Sequence, residues 1–273
     1  MNKKILILGE GFIGRRLQEE LRCPISGNRI HSFRDAERQI KKFKPKIIIN
    51  CIGYTGRDNV DGCEFDIDKT LAANTFSPII LTEAALRNKI KLVHISSGCI
   101  YHYDFEKNMP KREKDIPDFS ELYYSRSKIY AERVLDVFSE RTKALILRIR
   151  IPLDNRPHPK NILTKLIKYR KVIDLENSIT YIPDFIQALK HLIKIDAWGI
   201  YNLVNAGRLS YPVLLDFYKK YVPDFEYEVI DFEKLNLTRT NLILSTKKLK
   251  NTGFKVRSIH EVLDQCVRSY LKY

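Results

Sequence analysis

The sequence predicts an α/β protein, a doubly wound parallel sheet with a smaller second domain. Three observations predict it. Four short apolar runs recur through the first half: KKILIL (3–8), KIIINCI (46–52), KLVHIS (91–96) and ALILRI (144–149). They are too short for helices and lack polar alternation, as strands buried on both faces do. Segments with helical spacing separate them, and the first run passes straight into a glycine-rich turn. Strands alternating with helices point to a parallel sheet covered on both sides.

Taken in order, KKILIL is a buried strand bounded by glycine, and FIGRRLQEEL (12–21) has the spacing of the helix that follows it. RDAERQIKKF (34–43) is a second helix, and KIIINCI the next strand. A long helical pattern covers residues 70–88 before KLVHIS, and YYSRSKIYAERVLDVF (123–138) precedes ALILRI. Beyond residue 150 the pattern loosens, with prolines at 152, 157, 159, 183, 212 and 223 punctuating shorter elements. The expected division is therefore a dinucleotide-binding domain over 1–150 and a smaller substrate domain over 151–273, with segments near 177–204 returning to the first sheet.

Composition limits the classes of function. The 273 residues are 44% hydrophobic and 30% charged, as in a globular chain. No apolar stretch reaches the roughly 20 residues of a membrane helix, and the ILIL run is too short for the core of a signal peptide. Five cysteines, an odd number with no CxxC pair, suggest a reducing compartment, cytoplasmic, and no metal site. The net charge of +15 is spread along the chain, much of it as lysine, with no basic arm or RNA-binding motif. It reads as a lysine-rich solvated surface, or a groove for a phosphate-bearing small ligand, and not as a nucleic-acid or membrane binder.

LILGEGFIG sets Gly9, Gly11 and Gly14 as G-x-G-x-x-G between a strand and its helix. That is the Rossmann-type dinucleotide turn: the glycines allow a tight bend, close approach of a pyrophosphate and close helix packing. Phe12, Ile13 and Gly14 then open the helix, whose N-terminal amides and dipole favour an anion. An NAD-preferring site places an acid about 20 residues on. Here CPISGNRIHSFRD offers no carboxylate before Arg34, and Arg29 stands near the place. A guanidinium suits a 2′-phosphate. NADPH is favoured on that ground, with NADH the other possibility and a solvated loop arginine the other reading of Arg29.

YYSRSK holds Tyr124 and Lys128 at i, i+4, neighbours on one helix face. An ammonium beside a phenol favours the phenolate, and such a pair can give a proton to a carbonyl oxygen as hydride reaches its carbon. Tyr123 is the competing phenol, but at i, i+5 it faces Lys128 less well. Upstream, SSGCIY ends the third run, and Ser97 and Cys99, two apart, would share one face if the backbone stayed extended.

The glycine turn, the strand-end serine and the Tyr124/Lys128 pair together resemble the extended short-chain dehydrogenase/reductase family. YTGRDNVDGCE (54–64), SGCIYHYD (97–104), YSRSK (124–128), LRIRIP (147–152), NILTK (161–165), ENSIT (176–180) and GIYNLVN (199–205) are similar to the bifunctional 3,5-epimerase/4-reductases of UDP-L-rhamnose synthesis. The resemblance implies an NADPH-dependent enzyme acting on a UDP-linked 4-keto-6-deoxy sugar after a separate 4,6-dehydratase, as a homodimer. It implies that Tyr124 is the proton donor, that Lys128 anchors the nicotinamide ribose, and that Ser97 holds the sugar carbonyl. It assigns the epimerase pair to Cys99 and Lys165, with His158 an outside candidate, and gives Asn74 a structural role. Asn161 and Arg239 fall on substrate-contacting stretches; Arg239 is equally readable as a surface arginine. Ser97-Gly98-Cys99 replaces the Asp-Glu pair of the related dehydratases, which argues against dehydration. A 4-ketoreductase without epimerase activity is the alternative, and a non-catalytic NADPH-binding subunit a third reading.

Overall fold

The computed structural model describes residues 4–57, 59–233 and 238–273. In the first half the chain forms β1 (Ile5–Leu8), α1 (Phe12–Leu21), β2 (Ile25–Ser26), α2 (Phe33–Phe43), β3 (Ile47–Asn50), α3 (Ile67–Leu71), α4 (Ser77–Asn88), β4 (Lys91–Ser97), α5 (Tyr123–Val137), α6 (Ser139–Thr142) and β5 (Leu145–Ile149). In the second half follow β6 (Pro152–Leu153), α7 (Ile162–Tyr169), β7 (Lys171–Ile173), β8 (Thr180–Tyr181), α8 (Ile182–Lys194), β9 (Gly199–Asn202), α9 (Tyr211–Lys219), β10 (Glu228–Ile230), α10 (Lys247–Lys250) and α11 (Ile259–Tyr270).

Six strands make the central sheet in the order β2-β1-β3-β4-β5-β9. β1 pairs in parallel with β2 on one side and β3 on the other, and β3 pairs in parallel with β4. The order reverses at β1, where the chain leaves for β2 and returns as β3; such a switch point opens a crevice at the carboxyl ends of the strands. The apolar runs become strands because helices cover the sheet: on one face Leu6, Leu8, Ile48, Leu92 and Ile146 are buried in one cluster with Ile40, Leu81 and Leu135 of the helices.

The chain divides into two compact units. The first comprises residues 1–100, 117–148 and 193–201, and the second 101–116, 149–192 and 202–273. Relative to the division expected at residue 150, residues 101–116 belong to the second unit. Their backbone bonds there: Lys111 N–H donates to the Ile243 carbonyl at 2.9 Å, and Ser245 N–H donates to the Lys111 carbonyl at 2.8 Å. Of the stretch near 177–204, residues 193–201 belong to the first unit, where β9 extends the sheet beside β5. The second unit has its own core, including Leu163, Leu166, Tyr181, Leu214, Val262 and Leu263, and two small sheets, β6-β8 and β7-β10.

The pattern over 70–88 is not one regular helix. A π-helical turn at Ala72–Phe76 separates α3 from α4. The wider turn brings Asn74 inward. Its Nδ2 donates to Ser127 Oγ of α5 at 3.1 Å, and Thr75 Oγ1 donates to the Ser127 carbonyl at 2.9 Å.

Beneath α5 lies an ion pair closed to solvent. Glu132 accepts from Arg148 Nη2 at 2.6 Å and Nε at 2.9 Å, and from Ser96 Oγ at 2.5 Å. Removing one member strands the other charge in the interior, which typically costs about 3–5 kcal/mol, whereas replacing both with apolar groups is near neutral. Glu132→Gln should therefore lower unfolding stability by several kcal/mol in urea titrations, and Glu132→Leu combined with Arg148→Met should restore most of it.

Candidate active site

The glycine turn is built as a dinucleotide cradle. Gly9 has φ +103°, and a Cβ there would lie 2.7 Å from the Cys51 carbonyl carbon. A Cβ on Gly14 would lie 1.9 Å from the Gly9 carbonyl oxygen, so α1 packs directly on the turn. Gly11 differs: nothing lies within 4 Å of its would-be Cβ. The protein's own packing does not require glycine there, and open space at that point is what an approaching pyrophosphate needs. Gly11 is also the N-cap of α1 and supplies no side-chain cap, with no acid in the first turn. The amides of Phe12, Ile13 and Gly14 open this helix at its positive end. The residues present fit a dinucleotide phosphate. Arg29 is exposed in the loop after β2.

β4 runs buried to Ser97 and stops. Extended backbone does not continue to Cys99, as the same-face reading required. The chain turns, Cys99 N–H donates to Ser97 Oγ at 3.1 Å, and Ile100 N–H donates to the Gly98 carbonyl at 2.8 Å. The serine side chain thereby caps the strand end and fixes the cysteine after it. Ser125 Oγ donates to the Cys99 carbonyl at 2.6 Å, tying this turn to the first turn of α5. Cys99 is half-buried, like Cys51; all five cysteines are free thiols.

α5 has no side-chain cap of its own. Glu64, from the loop after β3, takes that place: its carboxylate accepts the Tyr123 N–H at 2.7 Å, a favourable charge for a helix N-terminus. Tyr123 carries the Arg126 guanidinium over its ring at 4.0 Å. Tyr124 and Lys128, 8% and 4% exposed, turn inward instead. A Cβ on Gly53 would lie 3.5 Å from Lys128 Nζ and 3.4 Å from Asn74 Oδ1. Asn74 locks this corner. Its Oδ1 accepts the Tyr54 N–H at 2.8 Å and its Nδ2 donates to the Tyr54 carbonyl at 2.9 Å.

Burial lowers the Lys128 ammonium to about 8, and the charges of Glu132, Cys63, Cys51 and Cys99 oppose that fall. Glu132 stands one helical turn from Lys128 on the same helix and is ion-paired with Arg148. His94 on β4 is held neutral by burial, with the Lys128 charge adding to the effect. Asn50 Oδ1 accepts the Ile52 N–H at 3.0 Å, leaving Asn50 Nδ2 to donate to His94 Nδ1 at 3.1 Å. Below pH about 8 Lys128 still carries the positive charge that favours a nearby phenolate, and Tyr124 precedes it by four residues on α5.

The other sequence candidates lie in the second unit. Asn161 is a correction. Its Oδ1 accepts from Asp154 N–H at 3.1 Å and Leu163 N–H at 3.2 Å, and its Nδ2 donates to the Asp154 carbonyl at 2.8 Å and the Arg156 carbonyl at 2.9 Å. Fully buried, with both donors and both lone pairs used, it caps α7 and has nothing left for a substrate. Lys165 lies on α7, and His158 Nδ1 accepts the Lys160 N–H at 3.0 Å. Arg239 is half-buried, and its Nη1 donates to the Thr238 carbonyl at 2.8 Å; part of the LTRTN stretch lies outside the described residues. Glu132, Arg148, Ser96 and Glu64 escaped the sequence reading. Only Glu132 left a trace there, as an acid four residues after Lys128. Among the described residues no group of three His, Cys, Asp or Glu is placed to hold a metal, and no helix is long and apolar enough to cross a membrane.

The model of the RmlD substrate-binding domain matches residues 3–211. The chain belongs to that family, of the extended short-chain dehydrogenase/reductase type. A bifunctional dTDP-4-dehydrorhamnose 3,5-epimerase/dTDP-4-dehydrorhamnose reductase from Arabidopsis thaliana is 28% identical over 264 residues, 93% of this chain and 87% of that protein. A trifunctional UDP-glucose 4,6-dehydratase/UDP-4-keto-6-deoxy-D-glucose 3,5-epimerase/UDP-4-keto-L-rhamnose-reductase from the same plant is 28% identical over 276 residues, 95% of this chain but 41% of that protein. The chain thus spans less than half the length of the trifunctional relative. Among solved structures, a UDP-rhamnose synthase from Acanthamoeba polyphaga mimivirus superposes with a TM-score of 0.90 at 24% identity, covering 97% of this chain and 98% of that one. A dTDP-4-dehydrorhamnose reductase from Bacillus anthracis, in complex with NADP, gives 0.84 at 21% identity over 100% and 99% of the two chains. Both share the Rossmann-like fold.

The Lys128 shift has a consequence for stability. Below pH about 8 the amine is charged in both folded and unfolded chains, and its burial cost is fully present. Between about 8 and the ordinary 10.5 the unfolded chain holds more protons, so stability rises with pH and the cost fades. Lys128→Met should accordingly raise stability at pH 7 by on the order of 2 kcal/mol, and urea titrations at pH 7, 8.5 and 9.5 should show that gain shrinking. A gain independent of pH would mean that the amine is not proton-linked to folding.

Proposed function

We propose that this protein reduces the 4-keto group of a nucleotide-linked 4-keto-6-deoxy sugar in rhamnose synthesis, after epimerising the sugar at C3 and C5. UDP-4-keto-6-deoxy-D-glucose is the substrate, UDP-L-rhamnose the product, and NADPH the reductant, with NADH also accepted. The observation that carries the proposal is the buried Tyr124–Lys128 pair on a helix whose first turn is hydrogen-bonded to the Ser97–Cys99 turn.

A ketone at C4 acidifies the C–H bonds at C3 and C5. Cys99, as thiolate, removes one of these protons, and the electron pair moves onto the C4 oxygen as an enolate. Ser97 Oγ and the Tyr124 hydroxyl donate hydrogen bonds to that oxygen. Reprotonation of the carbon from the opposite face inverts the centre, and Lys165 is the proposed donor; its assignment rests on the sequence resemblance. Bound nicotinamide supplies the hydride for C4. Tyr124 gives its proton to the C4 oxygen, and Lys128 eases the charge left on the phenol. Both steps place negative charge on the same oxygen, so one set of donors serves both. Arg239 is proposed to pair with the substrate diphosphate.

A separate 4,6-dehydratase is proposed to supply the keto sugar. A second copy of the chain is proposed to pack against α5, where Tyr130 and Val137 are exposed two turns apart, 50% and 77% accessible. The alternative, a reductase without epimerase activity, gains no support from the half-buried thiol that follows Ser97.

With the keto sugar in heavy water and no dinucleotide, nuclear magnetic resonance should show deuterium entering C3 and C5. Cys99→Ser should slow that exchange at least about a hundredfold and spare most reduction of a pre-epimerised sugar. Tyr124→Phe should abolish reduction. Absence of exchange in the wild type leaves the reductase alone; equal loss of both activities in Cys99→Ser removes the division of roles.

A further inference from the structure

The dinucleotide cradle has an acid that comes from an unexpected direction. In this fold a carboxylate at the end of β2 takes the 2′-hydroxyl of the adenosine ribose and repels a 2′-phosphate. Here β2 is Ile25–Ser26, and the residue that follows it is Gly27, which has no side chain to offer. The space is nonetheless filled. A Cβ on Gly27 would lie 3.0 Å from Cδ of Glu10, 3.1 Å from its Oε1 and 3.4 Å from its Cγ. Glu10 reaches this spot from the glycine turn, between Gly9 and Gly11. Its other oxygen, Oε2, accepts from Arg15 Nη2 of α1 at 2.8 Å, which fixes the carboxylate and leaves Oε1 toward Gly27. The side chain remains 38% exposed, so a ligand can reach it. Arg29, exposed two residues beyond Gly27, is the opposing charge.

We propose that Glu10 supplies the carboxylate missing from the end of β2 and is the residue that distinguishes a ribose 2′-hydroxyl from a 2′-phosphate. Oε1 accepts the hydroxyl of NADH, while the carboxylate charge, offset in part by Arg15, opposes the dianionic phosphate of NADPH, which Arg29 attracts. The ratio of the two affinities is set by this balance, and Glu10 is why NADH is accepted at all. The proposal deepens the dinucleotide reading of the cradle and rests on it.

Binding tests it without turnover. Dissociation constants for NADPH and NADH are read from their fluorescence on titration with the protein. Those for 2′,5′-ADP and 5′-AMP, which carry only the adenosine end, are read by calorimetry. Unit charges about 4 Å apart repel by about 1 kcal/mol in bulk water and more near a protein surface, and 1.4 kcal/mol is tenfold in affinity. Glu10→Gln keeps the size of the side chain and removes its charge. It should shift the NADPH-to-NADH affinity ratio about tenfold toward NADPH, with 2′,5′-ADP gaining on 5′-AMP in parallel. Arg29→Ala should shift both ratios the opposite way. A folded Glu10→Gln protein, judged by its unchanged thermal melt, that binds both dinucleotides at the wild-type ratio overturns the proposal and leaves the cradle standing. A wild-type protein that binds neither dinucleotide overturns the cradle and the proposal together.

Discussion

Putting the Lys128 ammonium inside the protein is the constraint around which the first unit is arranged. A buried cation is expensive unless compensated, and several elements share the task. Glu132 stands one turn along the same helix, Arg148 and Ser96 donate hydrogen bonds to Glu132, and Asn74 and Gly53 lie beside the amine. The result is a charge that is tolerated rather than fully satisfied, so its proton affinity falls toward neutral pH. A lysine salt-bridged directly would be held more firmly charged.

The secondary structure serves this placement. The π-helical turn at Ala72–Phe76 swings Asn74 into contact with Tyr54 and Ser127, which a regular helix over the same residues would not do. π-turns within helices often mark functional sites for this reason. The loop after β3 contributes at both ends: Tyr54 lines the lysine corner through its backbone, and Glu64 caps α5. Among the described residues, that loop is further fastened by the bond from the Tyr54 hydroxyl to Asp66. Thus the stretch between β3 and α3, without regular strand or long helix, sets where Tyr124 and Lys128 stand.

Much of this was legible in the chain itself. The runs KIIIN and KLVHIS are buried strands because period and length allow nothing else, and G-x-G-x-x-G between strand and helix has a geometric meaning at each glycine. Tyr124 and Lys128 could be paired from spacing alone. What spacing cannot carry is contact between residues distant in sequence. Arg148 lies at the end of a run that reads as an apolar strand, and nothing there announces that it reaches Glu132 on a helix. Asn161 shows the opposite failure: a polar residue in a suggestive stretch reads as a ligand contact, while all four of its hydrogen bonds go to backbone. The strand periodicity that would place Cys99 beside Ser97 ends at Ser97, two residues too early. Glu10 left no signal, because its position over Gly27 is a property of the folded turn.

The arrangement is tested most directly by titrating Lys128 itself. With lysines labelled by carbon-13 at Cε, the chemical shift of that one resonance, assigned through Lys128→Arg, follows the proton on Nζ. A midpoint near 8, displaced further downward in a folded Glu132→Gln variant, is the result expected here. A midpoint at the ordinary lysine value of 10.5 would contradict it, and with it the view that burial of this ammonium is the constraint on the first unit.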